Sequence, residues 1–339
     1  MPAKTKTVPS AAILHTVDIG NYSTYAITNN FDDAPRYFRS MRARVTAGTR
    51  VLRADDLNPL VEWKGHKYHF GDKAHSYSRK QASAVENKIS DVNVFICSVL
   101  ATLRPLHDQT KYSVILRWAL PNPDLEHSSG RTYGEVFKQA LTGTFQFTRN
   151  GQDMEVTISP EDPQYEGYAS LVAAREEGQV SAKGNIMLID LGGNTANGLM
   201  IDSSNEIIEA TSCEGRGGVA LATEIAKNQL VADRIGDTPS LAVIMEGIAS
   251  GTHCYHEEPA QHWNDVYEEL LGEWYTSILS EMKRRFRAHI PNTKGIVLVG
   301  GCANLLAETL AGKPGIYIPE HPELANIESM IAQQLQVAA

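Results

Sequence analysis

Two segments of the chain share one pattern of apolar and polar positions. In the first, an apolar run enters residues 18–20, a polar turn follows, and residues 25–27 resume the strand pattern, which predicts a β-hairpin over residues 11–27. Residues 185–202 repeat this arrangement around a second turn that begins at residue 190. Each turn carries an aspartate, glycine and hydroxyl side chains, so the two hairpins resemble each other in both pattern and chemistry.

The rest of the pattern predicts an α/β protein in which strands and helices alternate. Hairpins are predicted at 61–70 and 139–158, the latter turning at Asn150-Gly151, with single strands at 112–120 and 295–301. Helices are predicted at 92–103, 165–177, 217–235 and 263–290, and another after residue 71 with Asp72 as its N-cap.

The clearest helix is 263–290, because its apolar residues recur at helical spacing. They form one stripe: Trp263, Val266, Tyr267, Leu270, Leu271, Trp274, Ile278, Met282 and Phe286. A stripe of this kind is more typical of a helix packed on a core than of a cofactor site.

Composition and charge argue against several classes of protein. The length of 339 residues predicts two domains, and the net charge of -9 argues against broad binding to nucleic acid. The four cysteines are scattered, which predicts neither a zinc site nor a disulfide framework. The N-terminal apolar stretch is too short for a signal peptide, and the longest apolar run, residues 94–103, is about half a membrane span. We therefore expect a soluble protein of the reducing cytoplasm without membrane contact.

Three short motifs carry the candidate chemistry, and each follows an apolar strand. They are D-I-G-N-Y-S-T at 18–24, D-L-G-G-N-T at 190–195 and V-L-V-G-G-C-A-N at 297–304. Backbone N–H groups and hydroxyls at a glycine-containing turn can hold phosphate oxygens. An aspartate repels phosphate but can hold hydrated Mg²⁺, and a glycine pair after a strand lets a ligand approach the backbone. Each motif alone is typical of an ordinary turn; all three in this order favour a phosphate site.

The ordered set resembles the first phosphate, second phosphate and adenosine motifs of the actin, sugar-kinase and DnaK-chaperone ATPases. Within that superfamily it is most similar to bacterial and archaeal actin-like plasmid-segregation proteins of the ParM/StbA type. Supporting segments are G-D-K-A at 71–74, the helix-like P-Q-Y-E-G-Y-A-S-L-V-A-A at 163–174, and A-N-I-E-S-M at 325–330, where Ser329 stands in place of a glycine. The resemblance spans nearly the whole chain.

The resemblance implies an actin-like ATPase fold, in which two duplicated RNase H-like lobes surround a nucleotide cleft. Lobe I would comprise residues 1–182, with a small subdomain at about 35–90, and would be completed by the C-terminal helix at 320–339. Lobe II would comprise residues 183–319.

The resemblance also implies roles for individual residues that bind ATP or GTP with Mg²⁺. Phosphate would be held by Gly20, Asn21, Tyr22, Ser23 and Thr24 from one side and by Gly192, Gly193, Asn194 and Thr195 from the other. Asp18 and Asp190 would hold Mg²⁺ through water, Asp190 also counting among the catalytic groups. Gly300, Gly301, Ala303 and Asn304 would line the adenosine pocket, with Gly217 and Lys227 facing the sugar.

One further group has to orient the attacking water, and the candidates are Glu161, Gln164 and Glu166, with Glu166 favoured. A solvated helix start rich in acids is an equally good explanation of these residues. Two departures from the family pattern stand out: Asn197 replaces an aspartate of the second motif, and Cys302 replaces a glycine of the third.

Three functions are compatible with these motifs. The first is a slow ATPase that forms filaments by head-to-tail self-association and moves plasmid DNA or other cargo through a DNA-bound adaptor, without touching nucleic acid itself. The alternative is a small-molecule kinase of the same fold, with Asp162 or Asp202 as the candidate base. The third, a chaperone-like nucleotide switch, ranks lowest because the chain stops soon after the last motif.

Overall fold

The computed structural model describes residues 13–77, 82–83, 91–237 and 239–337. The chain divides into two compact units, Met1–Gln164 and Tyr165–Ala339. The first unit holds β1 (Leu14–Ile19), β2 (Ser23–Thr28), β3 (Arg36–Arg39), β4 (Arg42–Arg44), β5 (Leu60–Trp63), β6 (His66–Phe70), β7 (Ala82–Ser83), α1 (Val92–Thr102), β8 (Lys111–Leu120), α2 (Tyr133–Leu141), β9 (Gly143–Arg149) and β10 (Gln152–Pro160). A two-residue strand, β11 (Gln164–Tyr165), lies at the boundary.

The second unit holds the other strands and α-helices. They are α3 (Tyr168–Glu176), β12 (Asn185–Leu191), β13 (Thr195–Ile201), β14 (Ile207–Glu214), α4 (Gly218–Lys227), α5 (Gln229–Ile235), α6 (Leu241–Ala249), α7 (Asn264–Arg285), β15 (Thr293–Val299), α8 (Ala307–Leu310), β16 (Ile316–Tyr317) and α9 (Ala325–Val337). A 3-10 helix, Gly301–Leu306, follows β15.

The two units repeat one strand topology. The first sheet runs β3-β2-β1-β8-β10 and continues through β9-β5-β6-β4-β7, and the second runs β14-β13-β12-β15-β16. In both five-strand sets the first three strands are antiparallel neighbours and the last three are parallel neighbours. The predicted duplication is therefore present, and each hairpin turn joins the central strand of its set to the strand beside it.

Both sheets alternate buried side chains between two faces, as the period of a strand requires. In the second unit Met187, Ile189 and Leu191 of β12 join the core beneath α4, α6 and α7. Ile186 and Leu188, on the opposite face, pack with Leu171 of α3 and with α9. In the first unit α1 and α2 share a core with the sheet. This alternation fixes the face of β12 to which each of its residues belongs.

The predicted stripe on 263–290 is confirmed as a core face. Helix α7 runs from Asn264 to Arg285, and the stripe joins the core of the second unit. No helix within the described ranges is both long enough and apolar enough to cross a membrane.

Four local predictions were wrong in detail. The hairpin expected over 139–158 is shorter, because residues 139–141 belong to α2 and the two strands are β9 and β10. The helix expected at 217–235 is two helices, because Asn228 ends α4 and its side chain accepts a hydrogen bond from the Leu230 N–H to begin α5. The helix expected after residue 71 is a 3-10 helix, Asp72–Ser76, whose N-cap is Gly71 rather than Asp72. Asn58 Oδ1 accepts a hydrogen bond from the Lys73 N–H at 2.9 Å. The helix expected from residue 165 begins at Tyr168, after the short strand β11.

The division into units also differs from the predicted lobes at two places. The boundary falls after residue 164, rather than at 182, and the C-terminal helix α9 lies within the second unit. The reason is that α3 and α9 pack together there, where Ser170 Oγ donates to Asn326 Oδ1 at 3.2 Å.

The buried ring of His15 should make the stability of the first unit depend on pH. Its ring lies between the hydroxyls of Thr28 and Thr102, at 2.9 and 2.8 Å, and burial, together with the charge of Arg36, lowers its pKa from about 6.5 to about 3. The folded chain therefore binds fewer protons than the unfolded chain between these values, so stability falls as pH falls below 6.5, by up to about 1.4 kcal/mol per pH unit.

Urea unfolding at several pH values measures this contribution. A His15→Gln variant should be less stable near neutral pH but should show a flatter dependence below pH 6.5. The same change at exposed His321 serves as the control and should leave the slope as in the unchanged protein. Equal slopes in all three proteins would contradict the assignment to His15.

Candidate functional site

The first turn, Gly20–Ser23, joins β1 to β2 and is closed by a backbone hydrogen bond. The Gly20 N–H donates to the Ser23 carbonyl at 2.9 Å. A methyl group at Gly20 would lie 2.6 Å from that carbonyl oxygen, so only glycine fits here. Asp18 precedes the turn and pairs with Tyr25 across the hairpin.

Ser40, directly after β3, orients the peptide groups of the first turn. Its hydroxyl donates to the Gly20 carbonyl at 2.6 Å, and its N–H donates to the Tyr22 carbonyl at 2.9 Å. In a trans peptide the carbonyl and the next N–H point in opposite directions. The N–H groups of Asn21 and Ser23 therefore point away from Ser40, as an anion site at this turn requires.

Thr24 and Arg39, beside the first turn, have contacts that differ from the predicted set of phosphate-binding residues. Thr24 is buried and its hydroxyl lies 2.8 Å from that of Ser40, so we assign it to holding the turn rather than to contacting phosphate. Arg39, which the motif analysis missed, donates to Ser23 Oγ at 3.3 Å, and its guanidinium carbon lies 4.1 Å from the centre of the Tyr22 ring. Arg39 brings a cation to a motif that contains none.

The second turn, Gly192–Thr195, is docked on the start of α4 by three backbone hydrogen bonds. The carbonyls of Gly192, Gly193 and Asn194 accept from the N–H groups of residues 218, 219 and 217 at 3.0, 2.8 and 3.1 Å. By the same peptide geometry, the N–H groups of residues 193, 194 and 195 point away from α4. Three successive N–H groups on one side of a turn form a concave anion site.

Gly217 and Gly300 allow close approach of backbone around the second turn. A methyl group at Gly217 would overlap the Gly192 carbonyl oxygen and lie 2.7 Å from the Asn194 carbonyl carbon. Gly300, directly after β15, has φ 87° and ψ 160°, and a methyl group there would overlap Asp190 Oδ1. The predicted motifs at 190–195 and 297–304 are therefore in direct contact within the second unit.

Glu166 and Asn197 are joined near Asp190. Asn197 lies directly opposite Asp190 on β13, which places both side chains on the same face of the sheet. Asn197 Nδ2 donates to Glu166 Oε2 at 3.0 Å, and each of these two residues is 6% exposed. The structure thus brings the favoured water-orienting carboxylate to the strand pair that carries Asp190.

The third motif is divided between core and surface. Gly301 faces open space and Asn304 Nδ2 donates to Glu323 Oε2 at 2.8 Å. Ala303 is fully buried in the core of the second unit, so it does not line a pocket surface, which corrects its predicted role. Cys302 donates to the Gly192 carbonyl at 3.4 Å, and burial raises its thiol pKa to about 12, which suits packing rather than reactivity.

The remaining predicted residues are Glu161, Gln164 and Lys227. Glu161 accepts two hydrogen bonds from Arg117, at 2.7 and 3.1 Å, so its charge is balanced within the first unit. Gln164 belongs to β11. Lys227, in the last turn of α4, pairs with Glu224 at 3.0 Å on the surface.

Each turn, taken by itself, has features that fit a hydrated divalent cation beside phosphate. Each turn offers a single carboxylate, which suits a Mg²⁺ ion that keeps most of its waters. Asn21 Oδ1 is buried, and no group in the described part of the chain donates a hydrogen bond to it. An acceptor oxygen placed there suits the water shell of a cation.

Comparisons with known proteins agree with this architecture. Residues 16–168 match the family described as the N-terminal domain of actin-like proteins. A comparison with curated protein sequences gives no match.

Solved structures match across almost the whole chain. The archaeal actin homolog Ta0583 in complex with ADP has a TM-score of 0.71 at 14% identity, covering 96% of this chain and 99% of that one. The actin-like protein Alp7A has a TM-score of 0.69 at 15% identity, with 97% and 98% covered. A 15-stranded ParM filament from Clostridium botulinum has a TM-score of 0.65 at 14% identity, with 96% and 100% covered. The chain has the actin-like fold.

Proposed function

We propose, from this actin-like fold, that the protein is a nucleotide-dependent filament-forming ATPase of the ParM type that segregates plasmids or positions other cargo. The observation that carries the proposal is the turn in each repeat of the topology, where neighbouring groups hold the carbonyls and the N–H groups that follow them point the other way, as anion binding requires. Among the structural neighbours, one is bound to ADP and others are filaments, which supports both nucleotide binding and self-association.

The proposed ligand is ATP or GTP with Mg²⁺. The backbone of residues 20–23 and 192–195 would bind phosphate oxygens, and Asp18 and Asp190 would hold the cation through water. Gly300, Gly301 and Asn304 would face the adenosine, and Gly217 and Lys227 the sugar. Glu166 would accept a proton from the attacking water.

Assembly follows from heterologous contacts, which add subunits head to tail without closing into a ring. Hydrolysis would weaken those contacts and allow disassembly. The net charge of -9 supports an indirect link to DNA through an adaptor. The four free cysteines agree with work in a reducing cytoplasm.

The kinase alternative lacks a suitable base at either proposed residue. The Ser204 hydroxyl and the N–H groups of Ser204 and Glu206 donate hydrogen bonds to Asp202, which lower its pKa and hold it in the turn before β14. Asp162 pairs with Lys138 at 2.6 Å on the surface. Neither carboxylate is poised to accept a proton from a substrate hydroxyl.

High-speed pelleting with Mg-ATP, Mg-GTP, Mg-ADP or no nucleotide tests the proposal, with phosphate release read from the same tubes. We expect pelleting above a critical concentration with a triphosphate, and none when EDTA removes Mg²⁺. Protein that hydrolyses nucleotide but stays in the supernatant at every concentration would contradict filament formation. Turnover that depends on one small hydroxylic acceptor would favour the kinase.

Arg39 provides a test of the first turn alone. Its guanidinium donates to Ser23 Oγ, so Arg39→Gln removes a cation beside the first turn, and the Kd for triphosphate should rise about tenfold. Isothermal titration calorimetry measures the change. Arg44→Gln, at an exposed position of β4 in the same sheet, is the matched control and should keep the Kd of the unchanged protein. A similar Kd for both variants would show that Arg39 does not contribute to triphosphate binding.

A further inference from the structure

A row of polar side chains crosses three strands of the second sheet. Asp190 on β12 lies opposite Asn197 on β13, and Asn197 lies opposite Ser212 on β14. Directly opposed residues of antiparallel strands share a face, so the three side chains form one row. Glu166, just before α3, meets this row through Asn197.

The hydrogen bonds of the row have a defined direction. Ser212 Oγ donates to Asn197 Oδ1 at 2.7 Å, and Asn197 Nδ2 donates to Glu166 Oε2 at 3.0 Å. The Ser212 hydroxyl thus engages the amide oxygen, which leaves the NH₂ group of Asn197 turned toward Glu166. An ionised carboxylate can only accept, so the amide matches the charged form of Glu166.

A neutral donor suits this position because carboxylates lie on both of its sides. Asp190 occupies the opposed strand position and Glu166 accepts the amide hydrogen bond. A third carboxylate at residue 197 would repel both neighbours in a site where Glu166 is buried. The amide holds Glu166 without adding charge.

We propose that Asn197 is the positioning residue for Glu166, and that Ser212 fixes the orientation of the Asn197 amide. This inference rests on the proposed hydrolysis, in which Glu166 takes a proton from the attacking water. The pair sets the direction of the Glu166 carboxylate, so it controls the rate of phosphate release rather than the affinity for nucleotide.

The first test compares Ser212→Ala with Ser212→Thr. Ser212 lies on an exposed part of β14, so removing its hydroxyl should spare the fold while freeing the amide to turn. We expect Ser212→Ala to lower the maximal rate of phosphate release about fivefold with an unchanged KM, and Ser212→Thr, which keeps the hydroxyl, to restore it. Thr211→Ala, at the preceding residue of the strand, is the matched control and should keep the full rate.

The second test uses Asn197→Asp, Glu166→Gln and the double variant. Asn197→Asp places two carboxylates together, so the rate should fall at least about tenfold and the midpoint of thermal unfolding should drop. In the double variant the introduced amide at position 166 can donate to the introduced carboxylate at position 197, which should restore the unfolding midpoint without restoring hydrolysis. Recovery of the unfolding midpoint reports the contact between residues 166 and 197 directly and does not depend on activity.

The possible failures are distinguishable. Phosphate release at the unchanged rate in Ser212→Ala and Asn197→Asp, from a protein that hydrolyses nucleotide normally, would overturn the positioning role and leave the proposed function standing. Parallel changes in KM and in rate would assign Asn197 to binding and also overturn it. No phosphate release from any triphosphate by the unchanged protein would overturn both the positioning role and the proposed ATPase.

Discussion

Replacing Gly300 with alanine should lower the free energy of unfolding by about 3 kcal/mol and abolish nucleotide binding. Gly300 has φ 87° and ψ 160°, a region that is almost confined to glycine. The added methyl group would also overlap Asp190 Oδ1 and lie 2.7 Å from the Leu191 carbonyl oxygen. Strand β12 and the Asp190 carboxylate would both have to move, which would displace the proposed cation site.

The adjacent glycine supplies the control for stability. A methyl group at Gly301 has no atom within 4 Å, and Gly301 is not in the left-handed region, so Gly301→Ala should change the free energy of unfolding by less than about 1 kcal/mol. Urea unfolding of both variants gives the stabilities, and the upward shift of the thermal midpoint with Mg-ATP gives binding. Equal stabilities for the two variants would contradict the close packing described at Gly300.

Changing Glu166 to glutamine should reduce phosphate release at least about 100-fold while nucleotide binding and assembly persist. The amide cannot take a proton from water, but its oxygen can still accept the hydrogen bond from Asn197 Nδ2, so the fold should be retained. Because disassembly depends on hydrolysis in the proposed cycle, filaments of this variant should also last longer. Pelleting over time and phosphate release in the same samples measure both effects.

The other candidate carboxylate is the matched control for this change. Glu161 is bound to Arg117 within the first unit, so Glu161→Gln should leave phosphate release within about threefold of the unchanged protein. Full activity in Glu166→Gln with loss in Glu161→Gln would transfer the water-orienting role to Glu161. Loss of nucleotide binding in Glu166→Gln would instead place that residue in the binding site.

Much of the fold could be predicted from local patterns. Apolar alternation around short turns predicted the hairpins β1–β2, β5–β6, β9–β10 and β12–β13, since a strand and its nearest neighbour are encoded side by side. The stripe on α7 predicted its buried face. The break at Asn228 was missed because apolar spacing continues through it, while the capping side chain is a single residue.

The site was only partly predictable. The motifs identified both turns and their glycines, but not Ser40 or Arg39, which follow the first turn on a strand without a motif of its own. Thr24 and Ala303 belong to motifs by position, yet their side chains point into the protein because strand alternation and core packing decide burial. The motifs therefore predicted which turn or strand a residue belongs to better than they predicted what its side chain contacts.

The sequence by itself determined the two hairpins, the glycines that close their turns and the duplicated order of the motifs, because each depends on residues a few positions apart. The tertiary structure alone decided that α4 docks on Gly192–Asn194, that Gly300 lies against Asp190, and that Asn197 holds Glu166. Those contacts join residues from different elements, and their partners are selected by strand register and by packing of helices on the sheet. No local pattern encodes that selection, since it follows from how all the elements bury their apolar faces together.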